Sequence, residues 1–243
     1  GSNGRLRELV LSDNKLTGNV PASLPLSKNL NVVALDDNRL EGNIGFLNAF
    51  VNLTTVFLED NMFTGTINDD FLKSHISLKW LDLSSNLLDG SLPSHLLQMG
   101  IEILDLHGNS LEGDLPSSLT NDNTALTFLS LYQNGFGGEI PESLTKLKSL
   151  SHLDLAENDF SGEMPAFIGE MVGLYYLFLA SNNFDAAPIP EEYVNLSNLR
   201  ELPLKSTKRT GSIANFVNFG ALELLDLDDN DLQGPIPEFL GAN

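Results

Sequence analysis

Leu78 to Pro93 reads LKWLDLSSNLLDGSLP, and this stretch decides the fold. Leu78, Leu81 and Leu83 alternate with residues suited to solvent. Asn86 follows, and Leu88, Gly90, Leu92 and Pro93 complete the unit. The same skeleton opens again at Leu6, Leu30, Leu53, Leu126, Leu150, Leu174, Leu199 and Leu222, with Ile101 as the opener of the fifth copy. Successive openers lie 23 to 25 residues apart. Ten copies at that period describe a stack of supersecondary units. In an extended LxL segment both leucines point to one side and the residue between them to the other. A single unit has nothing to bury its leucines against, so neighbours must stack them into a continuous column.

Two further positions recur. Asparagine stands at Asn14, Asn38, Asn61, Asn86, Asn109, Asn134, Asn158, Asn182 and Asn230. Its amide can satisfy backbone groups where the chain turns out of the strand, which is a structural role. Glycine recurs about four residues later and proline closes several copies, at Pro21, Pro93, Pro116, Pro141 and Pro165. Together these residues spell LxxLxLxxNxLxGxIP from Leu6 to Pro237, a pattern that resembles the plant-type leucine-rich repeat family. The resemblance implies an α/β-type leucine-rich repeat solenoid, mostly β with 3₁₀ turns. It would be a curved right-handed superhelix with an inner parallel sheet of about ten strands and short GxIP strands on one flank. It further implies kinship with ectodomains of leucine-rich repeat receptor kinases and with secreted proteins of the same repeat. The expected function is therefore that of an extracellular or cell-surface module that binds through the concave face of its sheet. Such relatives carry terminal cysteine pairs, and this chain has no cysteine.

Residues 1–243 read as one elongated domain, with Gly1–Ser2 as a cloning scar and the whole as a piece of a longer protein. A net charge of −20 excludes a nucleic-acid partner, which needs a basic surface, and an anionic membrane face. Without cysteine there are no disulfides and no thiolate metal sites.

Three places depart from the pattern. Asn68–Ser77 reads as a short helical turn on the convex side. In the eighth copy Ala186 replaces the glycine, and FDAAPIP carries one extra residue before Ile189. In the ninth, Thr207 replaces asparagine, Pro203 interrupts LxL, and Lys205, Lys208 and Arg209 form a basic island. These exceptions read as tolerated drift. The island is expected to balance an acidic neighbour through the pairs Arg200–Glu223, Lys205–Asp228 and Lys208–Asp231.

Stacking in register turns the solvent-side strand positions into columns. One reads Glu8, Val32, Thr55, Trp80, Ile103, Phe128, His152, Tyr176, Glu201 and Leu224. The next reads Val10, Ala34, Phe57, Asp82, Asp105, Ser130, Asp154, Phe178, Pro203 and Asp226, and a third carries His107 and Tyr132 at its centre. Packing gives an exposed sheet face little reason to display so many aromatics together, and such surfaces mark interaction sites. The candidate ligand-binding residues are accordingly Trp80, Asp82, Asp105, His107, Phe128, Tyr132, His152, Asp154, Tyr176 and Phe178. The ligand class is a peptide, protein or glycan, neutral or cationic given the acidity. Aspartate is also the common filling of LDL in this repeat class, so no metal is inferred. Asp226–Gly234 is not a calcium loop, because Asp231 stands where that loop needs glycine.

No catalysis, cofactor or membrane contact is read from the segment. Asp105/His107 and Asp154/His152 are i, i+2 pairs without an accompanying nucleophile or oxyanion donors, and the two histidines lie roughly 16 Å apart by strand spacing. Sequons at Asn52 and Asn195 are glycan acceptors if the chain is secreted. A structural or adhesive surface protein without a discrete ligand is the alternative.

Overall fold

The computed structural model describes residues 5–24, 29–119, 125–213 and 220–241; Gly1–Ser2 lie outside them. Ten inner strands, three residues each, follow one another in chain order as a single parallel sheet. They run from Glu8–Val10 to Leu224–Asp226, with Trp80–Asp82, Phe128–Ser130, His152–Asp154 and Tyr176–Phe178 at the centre. Each internal strand pairs with the copy before and after it; Tyr176–Phe178 meets Glu201–Pro203 through a single residue pair, because Pro203 has no N–H to donate. A second parallel sheet runs along one flank, from Thr17–Asn19 to Asp159–Phe160; its strands lie mainly on the residues leading up to the pattern's glycine rather than on the expected GxIP segments. It resumes beyond the eighth repeat as Thr210–Gly211 paired with Asp231–Leu232. The back carries short 3₁₀ helices, among them Ile44–Ala49, Glu142–Lys146, Ala166–Glu170 and Glu191–Asn195, and one α-helical turn, Ser94–Gln98.

The leucine column forms the core. Leu78, Leu81, Leu83 and Leu88 of the fourth repeat are fully buried, and their equivalents run on either side. Each such side chain contributes about 1.5–3 kcal/mol relative to exposure, a gain available only with neighbours stacked above and below.

The asparagines join the repeats. Asn134 Nδ2 donates to Leu131 O and Tyr132 O of its own repeat and to Leu106 O of the preceding one. Its Oδ1 accepts the Leu111 N–H of that preceding repeat. Asn158 and Asn182, both buried, repeat the arrangement. One side chain thus satisfies four backbone groups that the turn would leave unpaired. The residue before each asparagine takes a left-handed conformation, as at Gln133 (φ 54°) and Glu157 (φ 51°). The pattern's glycine makes a second left-handed corner; at Gly90 (φ 98°) a Cβ would run into the Ile67 carbonyl.

Asn68–Ser77 differs from expectation. It forms two separate tight turns, closed by Phe71 N–H to Asn68 O and His75 N–H to Leu72 O. No helix joins them because the buried Leu72 sits at φ 55°, with its N–H taken by the Asn48 side chain.

The eighth and ninth repeats also differ, and their oddities belong together. Ala186 does not adopt the left-handed conformation of the glycine it replaces, and neither does any residue from Asp185 to Pro190. In this longer, bulged segment carbonyls face inward. Arg209, in the slot filled by Phe160 and Phe184 in earlier repeats, is fully buried beneath it. Its guanidinium donates to Thr207 O at 2.9 and 2.7 Å, to Pro188 O at 3.3 Å and to Asp185 O. Thr207 Oγ1 donates to Leu204 O at 2.6 Å, replacing one bond of the absent asparagine. Arg209 is therefore no part of a surface basic island, and the exceptions are not independent drift. Of the three expected pairs, Arg200–Glu223 (3.5 Å) and Lys205–Asp228 (2.8 Å) form. Lys208 and Asp231 line the same flank cleft, but no ion pair joins them.

Candidate functional site

The register places the columns as the sequence predicts: Trp80 lies between Thr55 and Ile103, and His152 lies between Phe128 and Tyr176. Leucines at the alternate positions anchor each strand in the core, which leaves the intervening side chains facing solvent. The candidate residues fall into three groups.

In the fourth repeat, Trp80 meets the edge of Phe57 with ring centroids 5.0 Å apart, yet remains 41% exposed. Phe57 is the register partner of Asp82. Asp82 Oδ1 accepts the Ser84 hydroxyl at 2.6 Å and the Ser84 N–H at 3.0 Å. Burial raises its pKa against these bonds, and the Asp105 charge adds to the rise.

In the fifth repeat, Asp105 Oδ1 bonds His107 Nδ1 at 2.8 Å and accepts the His107 N–H. This carboxylate holds the imidazole pKa above its ordinary value, with burial opposing. The His107 ring leans toward Tyr132, centroids 6.1 Å apart. Burial, then the Glu157 charge, raises the Tyr132 phenol.

In repeats six to eight, Phe128 stacks on His152 at 4.3 Å, and His152 touches Tyr176 and Phe178, each at 5.3 Å. Burial lowers the His152 pKa, so this platform is uncharged at neutral pH. Asp154 does not pair with His152. Its Oδ1 accepts the Ala156 N–H, and burial pushes the carboxyl up to about 6. Of the two i, i+2 arrangements only Asp105/His107 pairs, because the His152 imidazole turns into the aromatic stack.

One contributor escaped the candidate set altogether. Glu59 follows Leu58 in the column of His107 and Tyr132, and its Oε2 is buried without a hydrogen-bond partner. Burial, followed by the Asp82 charge, lifts this carboxyl to about 7. Its column gave it away, had that column been read beyond its centre. Among the described residues no three His, Asp or Glu side chains are arranged as a metal would require. Asn52 and Asn195 are both exposed and lie off the inner strands, Asn195 at the end of a back-side 3₁₀ helix.

The profile of the Leucine Rich Repeat family matches residues 5–26, 77–99, 100–121, 125–147, 149–171 and 221–243, more than half of the chain. Among solved structures, the LRR ectodomain of the plant membrane receptor kinase GASSHO1/SCHENGEN3 from Arabidopsis thaliana, in complex with CASPARIAN STRIP INTEGRITY FACTOR 2, is 35% identical. It superposes with a TM-score of 0.85 over 97% of this chain and 29% of that one. The Arabidopsis receptor kinase HAESA, solved with the peptide hormone IDA and the co-receptor SERK1, is 30% identical. Its TM-score is 0.85 over 98% of this chain and 40% of that one. Receptor-like protein 34 of Arabidopsis thaliana is 34% identical over 90 residues, which is 37% of this chain and 9% of that protein. The chain thus spans well under half the length of these relatives.

Proposed function

Because the chain belongs to the leucine-rich repeat family, we propose that it is an extracellular recognition module that binds a peptide across the concave face of its inner sheet. One observation carries this reading. Repeats four to eight hold partly exposed aromatic rings and carboxylates side by side on a surface that folding needs only for its backbone. Support comes from the two ectodomain structures above, each solved with a partner, in one case a peptide hormone. Trp80, Phe128, Tyr132, Tyr176 and Phe178 supply contact area; Asp82, Asp105, His107 and Asp154 orient donors or a basic group, with His152 inside the stack. Glycans at Asn52 and Asn195 would leave that face open. No helix among the described residues is long and apolar enough to cross a membrane.

The test is a random peptide library selected on the wild type. The recovered peptides are then measured on Trp80→Ala/Phe128→Ala/Tyr176→Ala, after circular dichroism confirms its fold. Loss of about a hundredfold in affinity is expected for three anchors. Equal binding by both proteins would place the site elsewhere.

A further inference from the structure

The inner face is not uniform. Its acidic end and its aromatic end ask for different chemistry, and the distance between them is set by strand spacing. At the acidic end, four side chains form one corner: Phe57 and Glu59 from the third repeat, Trp80 and Asp82 from the fourth. The two rings meet edge to face at 5.0 Å. Asp82 lies beside Phe57 in register, and Glu59 is two residues past Phe57, just beyond the end of its strand. Among the described residues no lysine or arginine pairs with either carboxylate; His107, bonded to Asp105, reaches Asp82 through its charge alone. Lys79, the basic residue next to the fourth inner strand, is engaged by Glu102 at 3.1 Å and by the Gly100 carbonyl. The Asp36 carboxylate, one strand away, accepts from the Ser12 hydroxyl. Glu59 Oε2 is buried and has no donor at all. Its raised pKa has the cause expected of a carboxyl that lacks a counter-charge: burial first, then Asp82.

We propose that this corner holds a lysine or arginine side chain of an extended peptide, while an aromatic or large aliphatic side chain of the same peptide lies on the Phe128–His152–Tyr176 platform. The inference rests on the concave-face reading above and adds ligand chemistry and spacing to it. A cation there gains both carboxylates and the faces of two rings. The platform offers rings without charge, so it favours an apolar side chain over a second cation. Asp82 and His152 are three strands apart and offset by two positions, about 16 Å with strands about 4.8 Å apart and residues about 3.3 Å apart. An extended chain covers that distance in about five residues. Charge complementarity argues for the same partner, since a chain of net charge −20 repels acidic peptides and attracts basic ones.

The probe is the peptide pool selected from a random library. Its members should carry Lys or Arg four to six residues from an aromatic or large aliphatic residue, spacing taken as about five. A representative peptide should bind Glu59→Gln/Asp82→Asn about tenfold more weakly than wild type. Its Lys→norleucine analogue should bind the two proteins equally. Both substitutions are isosteric and remove repulsion, so melting should not fall. A pool without that spacing, or a Lys→norleucine analogue that loses as much affinity as its parent on the double variant, overturns the two-part inference. If Trp80→Ala/Phe128→Ala/Tyr176→Ala still loses binding in that case, the concave-face reading survives alone. If it binds like wild type, or if no peptide is recovered, both fall.

Discussion

The seventh and ninth repeats satisfy the same turn with different chemistry, and Lys208 (φ 59°) is left-handed where its counterpart Asp159 is not. In the seventh, Asn158 satisfies four backbone groups at the turn and Phe160 fills the core behind it. In the ninth, Thr207 supplies one of those bonds and a buried guanidinium fills the phenylalanine slot. Arginine is tolerated there because the Asp185 and Pro188 carbonyls, in the segment of the eighth repeat that carries the extra residue, accept from it. What the repeat conserves physically is the accounting of backbone hydrogen bonds, with residue identity free to vary around it. A charge this deep persists only where every donor finds a partner. The Tyr193 hydroxyl, buried near the guanidinium, is an exception to that accounting and has no hydrogen-bond partner.

The comparison breaks most directly at Arg209. Arg209→Leu keeps the slot filled but leaves the bulge carbonyls unpaired, and it should destabilise by roughly 2–4 kcal/mol in urea unfolding. The consensus pair Thr207→Asn/Arg209→Phe should restore stability only when Ala186 is deleted as well. Wild-type stability in Arg209→Leu would show that bulge and guanidinium are uncoupled.

Asn158→Ala sharpens the other side. Four buried backbone groups lose their partner, so a cost of roughly 2–3 kcal/mol is expected, against less than about 0.5 kcal/mol for Asn14→Ala. Asn14 is exposed and donates only within its own repeat, to Leu11 O and Ser12 O. Similar costs at the two sites would mean that the bonds to the neighbouring repeat contribute nothing.

The smallest effect contrasts this satisfied interior with the uncompensated inner face. Folding raises Glu59 from 4.5 to about 7 and Asp154 from 3.8 to about 6. The folded protein then holds protons that the unfolded chain has released, so stability from these groups declines as pH climbs from about 4 to about 7. His107, raised by Asp105, acts in the same direction: its stabilisation is present below its ordinary value of 6.5 and fades above it. His152, lowered by burial, opposes them by favouring the fold as pH rises toward 6.5. Glu59→Gln and Asp154→Asn should each raise the melting temperature at pH 7.5, by less than about 4 °C, and flatten its fall between pH 5 and 7.5. An unchanged slope would mean that these carboxyls ionise freely.

The sequence alone determined the period, the leucine core, the asparagine ladder and the register of the columns. Each follows from local spacing: LxL fixes which side chains point inward, and a repeated length fixes which residues become neighbours. The positions of Trp80, Phe128, His152 and Tyr176 on adjoining strands were legible for that reason. Contacts within a column were not, because a column lists neighbours without saying how their side chains turn. Only the tertiary structure put His152 into the aromatic stack and left Asp154 to the Ala156 amide. The same holds for Glu59, whose Oε2 is left without a donor, and for Leu72, whose left-handed backbone broke an expected helical turn. Arg209 is the clearest case. Sequence reads it as one of three surface cations, and its burial depends on carbonyls in a lengthened segment some twenty residues earlier, a coupling that arises only once the repeats are stacked.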